Sequence, residues 1–197
     1  LTSVEHVADQ ARRLLDLVED LLTLSSRRAG RLDVNPLPVP VGAAVAHAIT
    51  GSDLDDVTVD CPPSLEVLAD RRLLGRILTN LLNNARKYGE PPFAVQARAA
   101  GPRVELCVSD GGAGVPDAFV PRLFDKFTRF EDGGGKAAQG SGLGLTIVRE
   151  LALVQDGDTW YEPNEPRGAR FCVALPAVAA PGGPSHDRQQ APSLTQE

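Results

Sequence analysis

The 197-residue sequence has no methionine, only three cysteines and only three lysines, and none of its apolar runs is long enough to span a bilayer. The absence of Met, even at position 1, predicts a fragment or processed piece of a longer protein. The sequence does not open with a charged segment followed by an apolar stretch, so we expect no secretory signal. We therefore expect a soluble, cytoplasmic polypeptide.

The three cysteines, Cys61, Cys107 and Cys172, are odd in number and far apart in the sequence. This spacing is typical of neither a disulfide framework nor a zinc site, so it predicts three reduced thiols that pack in the core. The formal net charge of -6 argues against a general polyanion binder, although it leaves room for a local basic pocket. We therefore expect no nucleic acid partner.

The sequence divides into three regions that differ in the period of their apolar residues and in composition. Residues 3–29 predict a helix whose apolar positions recur at steps of three and four, which forms a seam for packing against another helix. Residues 34–176 alternate between helical and strand periods and hold the main domain. Residues 177–197, rich in Pro, Gly, Ser and Gln, predict a disordered tail. We place the boundary of the N-terminal arm, residues 1–33, just before the proline-rich segment at 35–40.

The main domain is predicted to be α+β. Its elements are a short helix at 41–49, short strands at 57–61 and 65–68, a long helix capped by Asp70 and ending at Tyr88, a hairpin of 93–99 with 103–109, helices at 117–127 and 143–155, and a hairpin of 159–162 with 169–175. A glycine-rich loop is expected at 131–140. Hairpins with helices between them predict a two-layer α/β sandwich in which helices cover one face of the sheet.

The long helix presents two chemically different sides. Apolar residues occupy one side, while Asn80, Asn84 and Lys87 fall at i, i+4 and i+7 on the other. An amide oxygen is a hard ligand suited to Mg²⁺, and a nearby ammonium group can neutralise phosphates. On its own, the same pattern also fits a solvated helix face.

A carboxylate stands at the end of a predicted strand, in Asp110-Gly111-Gly112-Ala113-Gly114. Backbone without side chains allows a flat ligand to approach, and the carboxylate can accept a hydrogen bond from the exocyclic amine of adenine, where guanine carries a carbonyl. The alternative is a tight turn, because Asp-Gly and Gly-Gly are common turn formers.

The segment Gly140-Ser141-Gly142-Leu143-Gly144-Leu145 immediately precedes an apolar helix. Free backbone N–H groups at such a helix start bind phosphates. The segment is neither a P-loop, since the Gly-Lys-Ser/Thr ending is missing, nor a clean dinucleotide fingerprint.

In order and chemistry these segments resemble the catalytic ATP-binding domain of sensor histidine kinases, in the superfamily shared with gyrase, the Hsp90 chaperones and MutL. Residues 80–88 look like that family's Asn box, residues 110–114 like its first glycine box, residues 124–130 like its Phe box and residues 140–145 like its second glycine box. The resemblance covers about residues 39–176 and implies the two-layer Bergerat-type fold.

The resemblance also implies roles for individual residues. Asn84 would ligate Mg²⁺, and Asn80 and Lys87 would contact the phosphates of ATP as the catalytic residues. Tyr88 would line the nucleoside pocket and Asp110 would hold the adenine amino group. Further cofactor contacts are implied for Gly112 and Gly114, for Lys126 in the Phe box, and for Gly140, Gly142, Leu143, Gly144 and Leu145 at the hinge and floor of a lid over the triphosphate.

The arm looks like the second helix of the kinase dimerisation hairpin, so a dimer through this helix is implied. The first helix with its phosphoacceptor motif is missing, because His6, His47 and His186 all lack the acceptor context. The resemblance thus implies a histidine protein kinase core with its acceptor histidine outside this chain, a response regulator as partner, and an origin in the cytoplasmic part of a sensor. An ATP-hydrolysing relative and a non-catalytic nucleotide-binding module are the alternatives.

Overall fold

The computed structural model of the chain describes residues 32–128 and 142–178. The predicted N-terminal helix, the glycine-rich loop at 131–140 and all but the first two residues of the predicted tail lie outside these ranges. Ala177, where that tail was predicted to begin, still belongs to the fold, because its N–H donates to the carbonyl of Pro102 at 2.9 Å. Across the described ranges, no helix has the length and apolar character needed to cross a membrane.

The described part contains three α-helices and seven strands. The helices are α1 (Val41–Thr50), α2 (Arg71–Tyr88) and α3 (Gly144–Leu153). The strands are β1 (Leu37–Pro40), β2 (Val57–Asp60), β3 (Glu66–Ala69), β4 (Phe93–Ala100), β5 (Arg103–Ser109), β6 (Asp158–Pro163) and β7 (Ala169–Pro176). These bounds agree with the predicted helices and strands to within about two residues, except at 117–127.

Helix α2 begins where its cap was predicted. The Asp70 carboxylate accepts the backbone N–H groups of Arg72 and Leu73 at 2.9 and 3.4 Å, which satisfies two donors that the first helical turn cannot pair internally. The helix ends at Gly89, whose N–H donates to the carbonyl of Ala85. The apolar side of the helix is buried along its whole length, so the rotation of the helix about its axis is fixed and the polar side faces away from the core.

Five strands form the main sheet in the order β2-β4-β5-β7-β6. Strand β2 pairs with β4 in parallel, and the other neighbours are antiparallel, including the two predicted hairpins. Strands β1 and β3 form a separate two-stranded sheet. Although β2 and β3 are neighbours in sequence, they therefore belong to different sheets.

Helices cover one face of the main sheet. Alternate residues of the central strands join the buried core with the helices, as the period of two requires, and they include Phe93, Val95, Ala97, Val104, Leu106, Val108, Phe171, Val173 and Leu175. Helix α2 packs against both α1 and α3. This arrangement confirms the predicted two-layer α+β sandwich.

The predicted helix at 117–127 is wrong. The structure has only a 3-10 turn there, Val120–Arg122. Pro121 lacks the N–H that a continuing helix would need, and Phe127 takes a φ of 59°, which ends any helical path. The segment 117–127 is therefore a series of turns.

Two of the three cysteines are also not the free thiols that we predicted. Cys107 and Cys172 stand directly opposite each other on β5 and β7 and form a disulfide, while Cys61 is free. The two lie 65 residues apart in sequence, so only the strand register brings them together. The sulfur atoms lie on the sheet face away from the helices, because their neighbours Leu106 and Val108 point into the core.

Candidate functional site

The polar side of α2 carries the two asparagines and the lysine that the sequence singles out. Asn80 and Asn84 are half-exposed and Lys87 is exposed. The Asn80 side-chain nitrogen donates to the carbonyl of Arg76 at 2.9 Å, which turns its carboxamide oxygen away from the helix backbone. The face therefore presents amide oxygen and ammonium groups within two turns of one rigid helix.

The start of α3 lies against the middle of this face. A Cβ atom built on Gly144 would lie 3.1 Å from Oδ1 of Asn80, so the absence of a side chain at 144 makes room for the asparagine. The side chain of Leu143 is fully buried and that of Leu145 is half-buried against the core. At position 143, therefore, only the backbone can face a ligand.

The segment 124–128 holds the start of α3 from the other side. The Thr146 hydroxyl donates to the carbonyl of Phe124 at 3.1 Å, and a Cβ on Gly142 would lie 3.0 Å from the backbone of Phe127. Lys126, half-exposed, lies between these two contact points. We call Asn80, Asn84, Gly144 and the segment 124–128 the Asn80 end of the site.

Asp110 is only 4% exposed, and backbone groups hold its carboxylate. The N–H groups of Gly112 and Ala169 both donate to Oδ1, at 2.8 and 3.4 Å. Burial raises the pKa of Asp110, the two N–H bonds lower it and the charge of Glu90 raises it further, with a net increase. Because both N–H groups go to Oδ1, Oδ2 is left to accept a hydrogen bond from a ligand.

The end of α2 meets this carboxylate. A Cβ on Gly89 would lie 2.5 Å from Cβ of Asp110, and the N–H of Gly111 donates to the carbonyl of Glu90 at 2.7 Å. Tyr88, 48% exposed, is the last residue of the helix. The two residues that follow the Asn box are thus in direct contact with the first glycine box.

The loop 164–168 between β6 and β7 completes the surroundings of Asp110. Gly168 has a φ of 123°, and a Cβ there would overlap the Asp110 carbonyl oxygen, so only glycine fits. The carbonyl of Gly168 in turn lies 2.9 Å from where a Cβ of Gly114 would be. We call Asp110, Gly112, Gly89 and the loop 164–168 the Asp110 end.

Sequence reasoning missed several residues of this end. Gly89, Asn164, Arg167 and Gly168 all contact the Asp110 turn or pack against it, yet the sequence marks 164–168 only as the turn of a hairpin. A glycine directly before a predicted strand was the one available signal. The contacts themselves depend on tertiary pairing.

The two ends lie at different points along α2. Asn80 and Gly89, the residue that follows the helix, are nine residues apart, about 13 Å along the helix axis, with Asn84, Lys87 and Tyr88 between them. Among the predicted site residues, direct contacts join Asn80 to Gly144 and Asp110 to Gly112, and Gly140 lies outside the described ranges. Their roles remain predictions.

Metal binding has few candidates among the residues described here. No group of three or more His, Cys, Asp or Glu side chains in these ranges could hold a metal ion. The half-exposed carboxamide of Asn84 is a hard oxygen donor, which fits Mg²⁺ if other ligands come from phosphate and water.

Comparison with known proteins gives several matches. Residues 69–179 match the family model of histidine kinase-, DNA gyrase B- and HSP90-like ATPases. The sensor-like histidine kinase SenX3 of Mycobacterium tuberculosis (H37Rv) is 35% identical over 184 residues, which cover 88% of this chain and 44% of SenX3. The signal transduction histidine-protein kinase AfsQ2 of Streptomyces coelicolor is 32% identical over 193 residues, which cover 95% of this chain and 36% of AfsQ2. The chain thus spans less than half the length of either relative.

Solved structures share the fold. Full-length ShkA in complex with AMPPNP has a TM-score of 0.70 and 27% identity, over 92% of this chain and 41% of ShkA. The mycobacterial sensor histidine kinase MprB has a TM-score of 0.62 and 27% identity, over 72% of this chain and 98% of the MprB chain.

Proposed function

The chain belongs to the family of histidine kinase-, DNA gyrase B- and HSP90-like ATPases, and on that premise we propose that it is the ATP-binding catalytic core of a histidine protein kinase. It transfers the γ-phosphate of ATP to a histidine on a dimerisation helix, for relay to an aspartate of a response regulator. One observation carries the proposal: helix α2 ends beside a buried carboxylate, and its polar face carries carboxamides, one of them against a glycine-led helix start.

Adenine binds at the Asp110 end. Oδ2 of Asp110 accepts a hydrogen bond from the exocyclic amine, because Oδ1 already accepts hydrogen bonds from two backbone N–H groups. Guanine presents a carbonyl oxygen at the same place, and two acceptors facing each other in a buried site are unfavourable. The site therefore selects adenine. Glycine at 112 and 114 lets the Asp110 turn pack closely against Gly89 and Gly168, which holds the carboxylate in place.

The triphosphate lies along α2 towards the Asn80 end. Asn80 and Lys87 bind phosphate oxygens, and the backbone at the start of α3 adds N–H donors. Asn84 holds Mg²⁺, which supplies charge neutralisation when it is bound with the triphosphate. The similarity to ShkA, solved in complex with AMPPNP, supports the binding of a nucleotide by this fold.

The reaction needs positioning more than acid–base chemistry. An imidazole nitrogen forms a bond to the γ-phosphorus, the bond from that phosphorus to the β,γ-bridging oxygen breaks, ADP leaves, and the imidazole releases a proton to solvent. Helix α2 contains no Asp or Glu that could activate water, and the Asn80 amide is not a base at neutral pH. Transfer to histidine is therefore favoured over ATP hydrolysis.

Radiolabelled ATP tests the proposal. The chain is incubated with [γ-³²P]ATP and Mg²⁺, with and without a separate polypeptide that carries a phosphoacceptor histidine helix and its hairpin partner. We expect acid-labile label on the added polypeptide, little label on this chain, and slow release of inorganic phosphate. At an ATP concentration below the dissociation constant, labelling should fall in Asp110→Asn in proportion to its weaker ATP binding.

Two outcomes contradict the proposal in different ways. Fast ATP hydrolysis without any labelled histidine would favour the ATP-hydrolysing alternative. Nucleotide binding without transfer or hydrolysis, for every acceptor helix offered, would favour a non-catalytic binding module. Competition of ATP and GTP against a fluorescent ATP analogue checks base selection separately, and equal displacement would remove Asp110 from the adenine site.

A further inference from the structure

The loop 164–168 crosses the Asp110 turn and bonds to it through two side chains. The Asn164 side-chain nitrogen donates to the carbonyl oxygen of Asp110 at 2.8 Å. Nε of Arg167 donates to the carbonyl oxygen of Gly112 at 3.1 Å. Both bonds fix backbone groups next to the carboxylate, and neither occupies the carboxylate itself.

Arg167 also reaches a third segment of the chain. Its terminal nitrogen lies 2.8 Å from a carboxylate oxygen of Glu90, which follows the end of α2. The backbone carbonyl of Glu90 accepts the N–H of Gly111 at 2.7 Å. One guanidinium group thus ties the loop before β7 to the turn after β5 and to the end of α2.

The ion pair alone explains little of this arrangement. The side chains of Arg167 and Glu90 are 61% and 67% exposed, and ion pairs at such positions contribute little to stability. The planar guanidinium, however, directs two donors at once, which a flexible ammonium group does not. The arrangement therefore sets geometry around Asp110 more than it stabilises the fold.

We propose that Arg167 is a positioning residue for adenine recognition, which acts by holding the Gly112 carbonyl and the Glu90 carboxylate on either side of Asp110. This inference rests on the proposed binding of ATP. Arg167 does not touch the base in this arrangement. It orients the turn that carries Asp110, whose carboxylate does contact the base. It also offsets the negative charge of Glu90 beside that carboxylate.

The charges around Asp110 give the proposal a specific signature. Glu90, from the segment after α2, raises the pKa of Asp110, in addition to the larger effect of burial. Arg167, from the loop before β7, pairs with Glu90 and counteracts its charge. Other charged or titratable side chains at the adjoining ends of the packed elements are Arg86, Lys87 and Tyr88 in the last turn of α2, Glu165 in the loop 164–168, Tyr161 and Glu162 at the end of β6, and Arg170 at the start of β7. The Tyr161 hydroxyl accepts the N–H of Val115. Adenine requires the ionised carboxylate, so binding weakens as the pH falls through the raised pKa.

The experiment measures affinity for a fluorescent ATP analogue with Mg²⁺ as a function of pH. The ratio of variant to wild-type affinity at each pH cancels the protonation of the nucleotide itself. Arg167→Gln should weaken binding by about three- to tenfold at neutral pH and move the acidic loss of binding to higher pH. Glu90→Gln should move it to lower pH, and the double variant should lie between the two single variants.

Two further variants separate position from charge. Arg167→Lys keeps the positive charge beside Glu90 but loses the planar guanidinium that directs two donors at once. It should therefore keep the wild-type pH profile and lose part of the affinity for the ATP analogue. Arg98→Gln is the matched control, because Arg98, whose side chain is 70% exposed, forms an ion pair of similar length with Glu105 on the sheet face away from the helices, at 2.7 Å. It should change neither affinity nor profile.

The outcomes distinguish this inference from the function on which it rests. If Asp110→Asn weakens binding while Arg167→Gln leaves affinity and profile unchanged, Arg167 has no positioning role and ATP binding stands. A loss in Arg167→Gln that is uniform at every pH, accompanied by a lower melting temperature, would show a merely structural role and overturn the inference. If the wild-type chain binds no adenine nucleotide, both fail.

Discussion

At the Asp110 end, three distant chain segments are bonded to one another around a buried carboxylate, whereas at the Asn80 end the polar side chains stand half-exposed on one helix face. The first arrangement leaves little freedom to adapt to a ligand. The second lets amide and ammonium groups move with the phosphates and their metal ion. The contrast indicates that the base is selected by fixed geometry and the triphosphate by adaptable polar groups.

Replacing one glycine at each end by alanine tests this contrast, and the largest effect on stability is expected here. In Gly168→Ala the new Cβ overlaps the Asp110 carbonyl and the φ of 123° is strained. We expect the free energy of unfolding to fall by about 3 kcal/mol or more and nucleotide binding to be lost. In Gly144→Ala the new Cβ meets only the movable end of Asn80, at 3.1 Å, so a change within about 1 kcal/mol is expected.

Chemical denaturation followed by the fluorescence of Trp160, the single tryptophan, gives both free energies. A fluorescent ATP analogue gives the affinities. The contrast between the ends is wrong if Gly144→Ala destabilises the chain as much as Gly168→Ala does, because the Asn80 end would then be equally rigid.

Asp110→Asn should damage binding and spare the fold. The amide oxygen can keep the N–H groups of Gly112 and Ala169, while the amide nitrogen faces the adenine amine as a second donor. A mismatch of about 1–3 kcal/mol weakens ATP binding roughly 5- to 150-fold. Isothermal titration at neutral pH measures this loss.

The same variant has a predictable pH dependence of stability. Burial raises the pKa of Asp110 in the folded chain, so wild-type stability falls as the pH rises from the ordinary aspartate pKa through the raised one. Asparagine does not titrate. The melting temperature of the variant relative to wild type should therefore increase across that window and stay constant above it, and a decrease would show that the folded state favours the ionised carboxylate.

At the Asn80 end, Asn84→Ala should reduce the benefit of Mg²⁺ without affecting the fold. Removing the amide oxygen should cut the gain in ATP affinity on adding Mg²⁺ about tenfold, or ~1.4 kcal/mol. Asn83→Ala is the matched control, because it is the same substitution at a position about 100° around the helix axis from Asn84. Equal Mg²⁺ dependence in both variants would remove Asn84 as a metal ligand.

The sequence predicts the parts of this molecule that local chemistry specifies. Helix α2 follows from the Asp70 cap and a long apolar period, and the β4–β5 hairpin follows from alternation around Gly101-Pro102. The polar face of α2 could also be predicted, since facing residues on a helix follow from spacing alone. These signals act within a few residues, so tertiary context did not override them.

Contacts between distant residues could not be predicted in the same way. Asn164 and Asp110 are 54 residues apart, and Arg167 and Glu90 are 77 apart. Which strands pair, and in which register, decides these contacts and also places Cys107 opposite Cys172. Local patterns fix the alternation of a strand but not its neighbour, so the residues that hold Asp110 in place became visible only in the structure.

The smallest expected effect separates the stability of α2 from the function of its polar face. Gly75 lies inside the helix, two turns before Asn83, and a Cβ there would meet nothing within 4 Å. Alanine loses less conformational entropy than glycine on folding into a helix, so Gly75→Ala should raise the free energy of unfolding by about 0.5–1 kcal/mol. ATP affinity and its Mg²⁺ dependence should not change, because the helix already holds Asn80 and Asn84 in place. Denaturation curves and nucleotide titrations on the same preparation check both statements. Tighter ATP binding in this variant would mean that α2 frays in the free protein and that the Asn80 end is ordered by the nucleotide.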